Sequence, residues 1–383
     1  MTRRIALLAT LDTKGTEAGF LSERLIELGC EVETVDLSLT DEALARRAAD
    51  KQTRMTLAAE SAGERLRESR GRGRLDGVIG IGGGQGTWMA TTAMRELPLG
   101  VPKLMVSTLP HRAGVYLGAS DIVFVPSTTD IAGLNPILRG TLERSAAAVA
   151  AMAGVPPRTG GGRLVAVTML GVTTIGATRL VRRLEELGYE TAVFHANGRG
   201  GAAMEAAIAA GEIAAVIDWT TAEVVNDIAG GRSTAGPDRL LAAARAGIPA
   251  ILVPGGLDTV ILPDGPPPTD RLLHDHTPVT RLMRSNRPEL EEAATRVAAA
   301  VEQTRGPIEV AVPERGFSAL GGPGQVFEDR AADEAFTRRL ASLIGDRCVR
   351  VDAHIDAPEF GEHVIDRFTA LAGEPNGTGT KER

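Results

Sequence analysis

Asp76-Gly77-Val78-Ile79-Gly80-Ile81-Gly82-Gly83-Gly84-Gln85-Gly86-Thr87 is the stretch whose reading decides the fold. Val78 to Ile81 is apolar without alternation, as in a strand buried on both faces of a parallel sheet. It empties into glycines, and a helix is expected from near Thr87, carrying Trp88, Met89, Ala90, Ala93 and Met94. Glycines between a strand and a helix N-terminus turn backbone N–H groups toward an anion and permit close approach. The stretch is therefore either a phosphate cradle or a tight turn of an ordinary α/β sheet.

The flanking sequence extends the pattern. Ile5 to Thr10 reads as a first strand, followed by Leu11-Asp12-Thr13-Lys14-Gly15-Thr16-Glu17. Asp12 or Thr13 is a candidate cap for a helix with Phe20, Leu21, Leu25 and Leu28 on its apolar face, ended by Gly29. Glu31 to Leu37 reads as strand two, and Asp41 to Arg70 as a polar helical stretch. A fourth strand, Lys103 to Ser107, precedes Thr108; a fifth is expected at Asp121 to Val125, and an alanine-rich helix at Leu134 to Ala153. This alternation indicates a doubly wound parallel sheet, whose ligands sit outside the carboxyl ends of the strands. Three polar loops fall there: Asp12-Thr13-Lys14, the cluster Gly82-Gly83-Gly84-Gln85-Gly86-Thr87, and Ser107-Thr108.

Gly154-Val155-Pro156-Pro157-Arg158-Thr159-Gly160-Gly161-Gly162 reads as a linker, after which the layout restarts. Leu180 to Glu190 echoes Leu21 to Glu31, and Gly247-Ile248-Pro249 echoes Gly100-Val101-Pro102. Two similar Rossmann-like domains are expected, 1–157 and 163–372, with a polar tail at 373–383 and a cleft between the domains as a natural ligand site.

The nucleotide fingerprints fail letter by letter. Gly-x-Gly-x-x-Gly would need a glycine where Thr87 stands, and no Gly-Lys-Ser/Thr occurs. Mononucleotide or phosphate binding through the cluster's N–H groups and Lys14 stays open, against Lys14 as a plain surface charge. Asp12 is either a Mg²⁺ ligand or a helix cap. In the second half, His195, Glu205, Asp218, Glu223 and Asp258 lie at or near strand ends and are candidates for a general acid and base at one sheet edge. His274-Asp275-His276 lacks an adjacent third metal ligand and reads as a surface loop. No Gly-x-Ser-x-Gly elbow or Cys–His pairing points to a covalent nucleophile.

The composition fits this reading. At 383 residues, 43% hydrophobic and 24% charged, the chain has the makeup of a globular protein. Its net charge of −7 gives no reason to expect nucleic-acid binding. Cys30 and Cys348 match no metal or redox spacing and suit a reducing cytoplasm. Ile5 to Ala9 is too short for a signal segment and no apolar run reaches membrane-span length, so a cytoplasmic protein is expected.

The chain resembles the UPF0261 family, also called Tm-1-like ATP-binding domain proteins. The resemblance rests on Thr10 to Glu17, Gly82 to Thr87, Leu97 to Thr108, Ser120-Asp121-Ile122 and Asp130 to Asn135. It continues through Phe194-His195 with Gly198 to Gly201, Met204-Glu205 and Ala235 to Leu240. Leu109-Pro110-His111 and Val253 to Leu262 depart from the family pattern. The resemblance implies two α/β domains, ATP binding by the first, and homodimers. Similar plant chains continue into a TIM barrel resembling phosphoenolpyruvate hydrolases, which implies a separate barrel partner for this chain. The resulting expectation is ATP with Mg²⁺ at domain one and a small carboxylated or phosphorylated metabolite as substrate at domain two. The rival is a non-catalytic ATP-dependent binding or regulatory module.

Overall fold

Strand β1 (Arg3–Ala9) accounts for the winding of the N-terminal half. Its alternate residues Ile5, Leu7 and Ala9 pack with Leu21, Leu25, Leu138 and Leu142, while Ala6 and Leu8 pack on the other face with Leu66, Met89 and Met94. A strand apolar on both faces needs helices on both sides. The computed structural model describes residues 2–40, 46–156, 164–263 and 265–373. It divides into two units, Met1–Thr159 and Gly160–Arg383.

Unit one continues with α1 (Leu11–Glu27), β2 (Cys30–Asp36), α2 (Lys51–Gly71), β3 (Gly77–Gly82), α3 (Gly84–Met94) and β4 (Lys103–Ser107). A short α4 (Ala113–Leu117), β5 (Val123–Pro126) and α5 (Pro136–Met152) complete it. The sheet is parallel in the order β2-β1-β3-β4-β5. Registers Ala9↔Asp36, Gly82↔Ser107 and Ser107↔Pro126 bring the strand ends to one edge.

Unit two holds β6 (Leu164–Met169), α6 (Thr174–Glu186), β7 (Glu190–His195), α7 (Arg199–Ala209), β8 (Ala215–Thr220) and α8 (Ala222–Ile228). Then come α9 (Leu241–Ala246), β9 (Ala250–Gly255), β10 (Thr259–Ile261), β11 (Leu273–Thr277), β12 (Thr280–Arg284) and α10 (Arg287–Glu302). β13 (Ile308–Pro313), α11 (Arg330–Ile344), β14 (Cys348–Val351) and α12 (Pro358–Ala372) follow. Its parallel sheet runs β14-β13-β9-β8-β6-β7. In sequence terms both sheets share one order, second-first-third-fourth-fifth, and unit two adds a sixth strand. Both are doubly wound and Rossmann-like. The sequence echoes fall on equivalent joints: Gly29 and Gly188 end the first helix at φ 78° and 90°, and Gly100 and Gly247 precede the fourth strand at φ 81° and 69°.

Several expected details shift. Helix α3 begins at Gly84, not near Thr87, so the glycines form its first turn. Helix α1 begins at Leu11 with Thr10 before it, so Asp12 lies inside the first turn and neither it nor Thr13 is the cap. The fifth strand moves to Val123–Pro126. The antiparallel sheet β10-β12-β11 was not legible; it places His274-Asp275-His276 on β11 rather than in a loop. Most of the expected linker and the tail beyond Gly373 lie outside the described residues. No helix among the described residues is long and apolar enough to cross a membrane.

Candidate functional site

The carboxyl edge of the unit-one sheet is built from backbone first. In α3 the first helical hydrogen bond runs from Thr87 N to Gly83 O (2.8 Å), so the amides of the preceding turn face out of the helix end. Gly82 is needed for this turn: a Cβ there would lie 2.7 Å from Gly86 C and 2.8 Å from Thr87 N, both backbone. The loop is anchored from behind. Thr87 Oγ1 and Ser107 Oγ are 2.7 Å apart, and Ser107 Oγ also accepts Leu109 N (3.0 Å). Thr87 and Ser107 are thus committed internally and hold the glycine loop to β4. Thr108 is closer to the edge; its N–H donates to Gly82 O (3.3 Å), and its Oγ1 lies 3.7 Å from where a Gly83 Cβ would stand.

The loop after β1 lies at the neighbouring strand end. Asp36, at the end of β2, caps α1: its Oδ1 accepts Leu11 N (3.0 Å) and Ser38 Oγ (2.6 Å), and Ser38 Oγ accepts Asp12 N (3.0 Å). Burial pushes the Asp36 carboxyl up, but these hydrogen bonds outweigh it and hold it below its ordinary value. Asp12 and Thr13 are exposed in the first turn, with Thr13 Oγ1 2.8 Å from Thr10 Oγ1. Lys14 sits at a break in the helix (φ −133°, ψ 22°), and its Nζ donates to Ile131 O (2.5 Å). The buried Glu17 accepts Gly133 N (2.6 Å) and pins the loop after β5. Asp12, Lys14, Gly83, Gly84, Gln85 and Thr108 therefore share one sheet edge.

In unit two the acid–base candidates separate into three places. Arg239, fully buried, gathers three of them. It bonds Asp218 with two nitrogens (2.6 and 2.8 Å), Glu223 through Nε (2.7 Å) and Glu205 through Nη1 (3.0 Å). The remaining carboxylate oxygens are also satisfied: Glu223 accepts the amides of Gly198 and Gly201, and Glu205 those of Leu240 and Ala242. Thr168 donates to Asp218 (2.7 Å). Burial opposes the Arg239 charge, but the three carboxylates outweigh it and keep the guanidinium ionised. Burial raises the Glu205 carboxyl despite Arg239 beside it.

His195 is elsewhere, exposed at the end of the edge strand β7. Asp258 belongs to a second buried cluster. Its Oδ2 accepts Ser318 Oγ (2.6 Å), while its buried Oδ1 has no partner among the described residues. The nearby Arg284 donates to Asp333 (2.5 Å). No group of three or more His, Cys, Asp or Glu side chains among the described residues is placed to hold a metal ion.

Sequence reasoning missed Asp36, Arg239, Arg284 and Asp333. Asp36 carried a signal, a carboxylate closing a strand as Asp12 follows β1. Arg239 lies within Ala235 to Leu240, on which the resemblance rests, but nothing there gave it a role. Arg284 and Asp333 carried no signal, because they are 49 residues apart in the chain.

The C-terminal-domain model of the family described as "Uncharacterised protein family (UPF0261)" matches residues 163–372, and its N-terminal-domain model matches 40–157. The chain belongs to the UPF0261 family. A UPF0261 protein of Mesorhizobium japonicum is 36% identical over 94% of this chain and 98% of its own length. The ToMV resistance protein Tm-1(GCR237) of Solanum lycopersicum is 37% identical over 78% of this chain, which spans 42% of that protein. Among solved structures, a C2-type ketoreductase from a modular polyketide synthase aligns over 96% of this UPF0261 chain at a TM-score of 0.27 and 17% identity, too distant to inform function.

Proposed function

We propose that this UPF0261 protein binds ATP with Mg²⁺ at the carboxyl edge of the unit-one sheet. The observation that carries the reading is the convergence there of the α3 amides, Lys14 and Thr108 with the exposed Asp12. The residues fit the group. The helix N-terminus and its glycines admit phosphate oxygens. Lys14 Nζ, now on a single carbonyl, is a cation within one turn of α1, and Asp12 is a carboxylate of the kind Mg²⁺ takes beside phosphates. Bound Mg²⁺ would screen phosphate charge; the chain's own part is to supply donors and position.

The role of unit two follows from Arg239. Glu205, Asp218 and Glu223 each spend their oxygens on that guanidinium and on backbone or hydroxyl donors, which favours a structural part for them. This supports a non-catalytic, ATP-dependent binding or regulatory module over acid–base chemistry through those three groups. Turnover of a small carboxylated or phosphorylated metabolite is the competing reading, with His195 or Asp258 as its remaining acid–base groups. A cytoplasmic homodimer, able to work with a TIM-barrel protein resembling phosphoenolpyruvate hydrolases, completes the proposal. The two free cysteines suit that compartment.

Isothermal titration with MgATP tests the site. Lys14→Ala is expected to weaken binding at least about tenfold, the loss of one charge-assisted contact. Unchanged affinity in that variant would refute the phosphate assignment. ATP turnover at background with every candidate metabolite, together with an ATP-dependent change in barrel-protein affinity, would favour the regulatory module.

A further inference from the structure

A cavity of about 150 Å³ lies at the carboxyl end of β13, outside the proposed nucleotide site. Its walls are Glu314, Arg315 and Gly316 from the loop after β13, Gly321, and Glu328, Arg330 and Asp333 around the start of α11. The loop is fixed in place: Ile355 N donates to Gly316 O (3.2 Å), Gly256 N to Phe317 O (2.7 Å) and Ala319 N to Val172 O (2.8 Å). Behind Gly321 stands Asp258, whose Oδ2 would be 2.2 Å from any Cβ at 321, so only glycine lets this wall form.

Most of the lining charges are spoken for. Glu314 is paired with Arg350, and Arg315 holds Asp352 with two nitrogens (2.7 and 2.8 Å). Arg330 makes no ion pair among the described residues and sits in the first turn of the fifteen-residue helix α11. There Asp329 caps the helix, its Oδ1 accepting Ala332 N (3.0 Å). Asp333 is bonded to the buried Arg284, whose charge also acts on Asp258, and Asp258 Oδ1 lacks any partner among the described residues. Burial raises both carboxyls and favours their protonated forms.

We propose that this cavity binds a small monocarboxylate of up to about six non-hydrogen atoms, its carboxylate held by Arg330 and hydrogen-bonded by the proton on Asp333. The size follows from the volume, since an engineered cavity of about 150 Å³ accommodates benzene. The single charge follows from Glu328, which lines the same space and repels a second negative group. Burial, against the pull of Arg284 and with Asp258 and Asp329 adding to it, pushes the Asp333 carboxyl up to about 7. Ligand affinity therefore depends on pH: above that value, each unit costs about tenfold, because the anion must find Asp333 protonated.

Calorimetric titration of the full chain with lactate as probe, from pH 6 to pH 8, tests this site. Saturable binding that weakens toward pH 8 is expected. Arg330→Gln, an exposed change, should weaken it at least tenfold at every pH. Asp333→Asn, whose amide also donates, should keep binding and lose the pH dependence. No lactate binding at pH 6, wild-type affinity in Arg330→Gln, or equal or tighter binding of succinate or ethanolamine would each overturn the proposal.

Discussion

Replacing Arg239 by Met removes the guanidinium on which Asp218, Glu223 and Glu205 converge while keeping similar side-chain volume. Arg239 and Asp218 are each 2% exposed and Glu223 is fully enclosed, so at least two carboxylates would be left buried and unpaired. Breaking a buried pair from one side costs about 3–5 kcal/mol. At roughly 2–4 °C per kcal/mol for a domain of this size, the melting temperature of unit two should fall by about 6–20 °C. Trp219, next to Asp218 in β8, reports the transition by fluorescence in a Trp88→Phe background. A fall under about 2 °C would refute Arg239 as the organising charge.

Asp333 has its carboxyl raised to about 7, so the stability it contributes is full below the unfolded value and disappears as pH rises to about 7. Urea titrations at pH 5 and pH 8 should show Asp333→Asn gaining on wild type at the higher pH; parallel lines would contradict this. Gly82→Ala forces a Cβ onto the backbone of Gly86 and Thr87 and should cost about 1–3 kcal/mol and abolish MgATP binding. Gly84→Ala, whose nearest neighbour is Leu109 Cδ1 at 3.6 Å, should fold normally; equal stability losses would count against the close-approach argument. Asp36→Ala loses the cap on Leu11 and should cost about 1 kcal/mol at pH 7. Because the Asp36 carboxyl is held low, that difference should vanish as pH falls through its folded value, which acid titration of the two proteins would reveal.

Much of the fold was legible because strand burial is written locally. Val78 to Ile81 and Ile5 to Ala9 are continuous apolar runs, and the glycines at 29, 100, 188 and 247 mark the same joints in both halves. The antiparallel sheet β10-β12-β11 was hidden, since its strands are short and β11 is Leu-His-Asp-His-Thr, polar on much of its length. The site divides along the same line. Asp12, Lys14 and the glycine cluster could be read because a parallel sheet delivers every strand end to one edge, whatever the side chains do. The fates of Asp218, Glu223 and Asp258 could not be read, because Arg239 and Ser318 reach them from loops with no period. The two edges share a strand order and still differ in what they offer. In unit one the strand ends present a helix end with its first-turn amides facing outward and an exposed Asp12; in unit two, Asp218, Glu223 and Asp333 are enclosed around arginines. Topology supplies the edge in both units, and in unit two buried guanidinium groups turn its carboxylates inward.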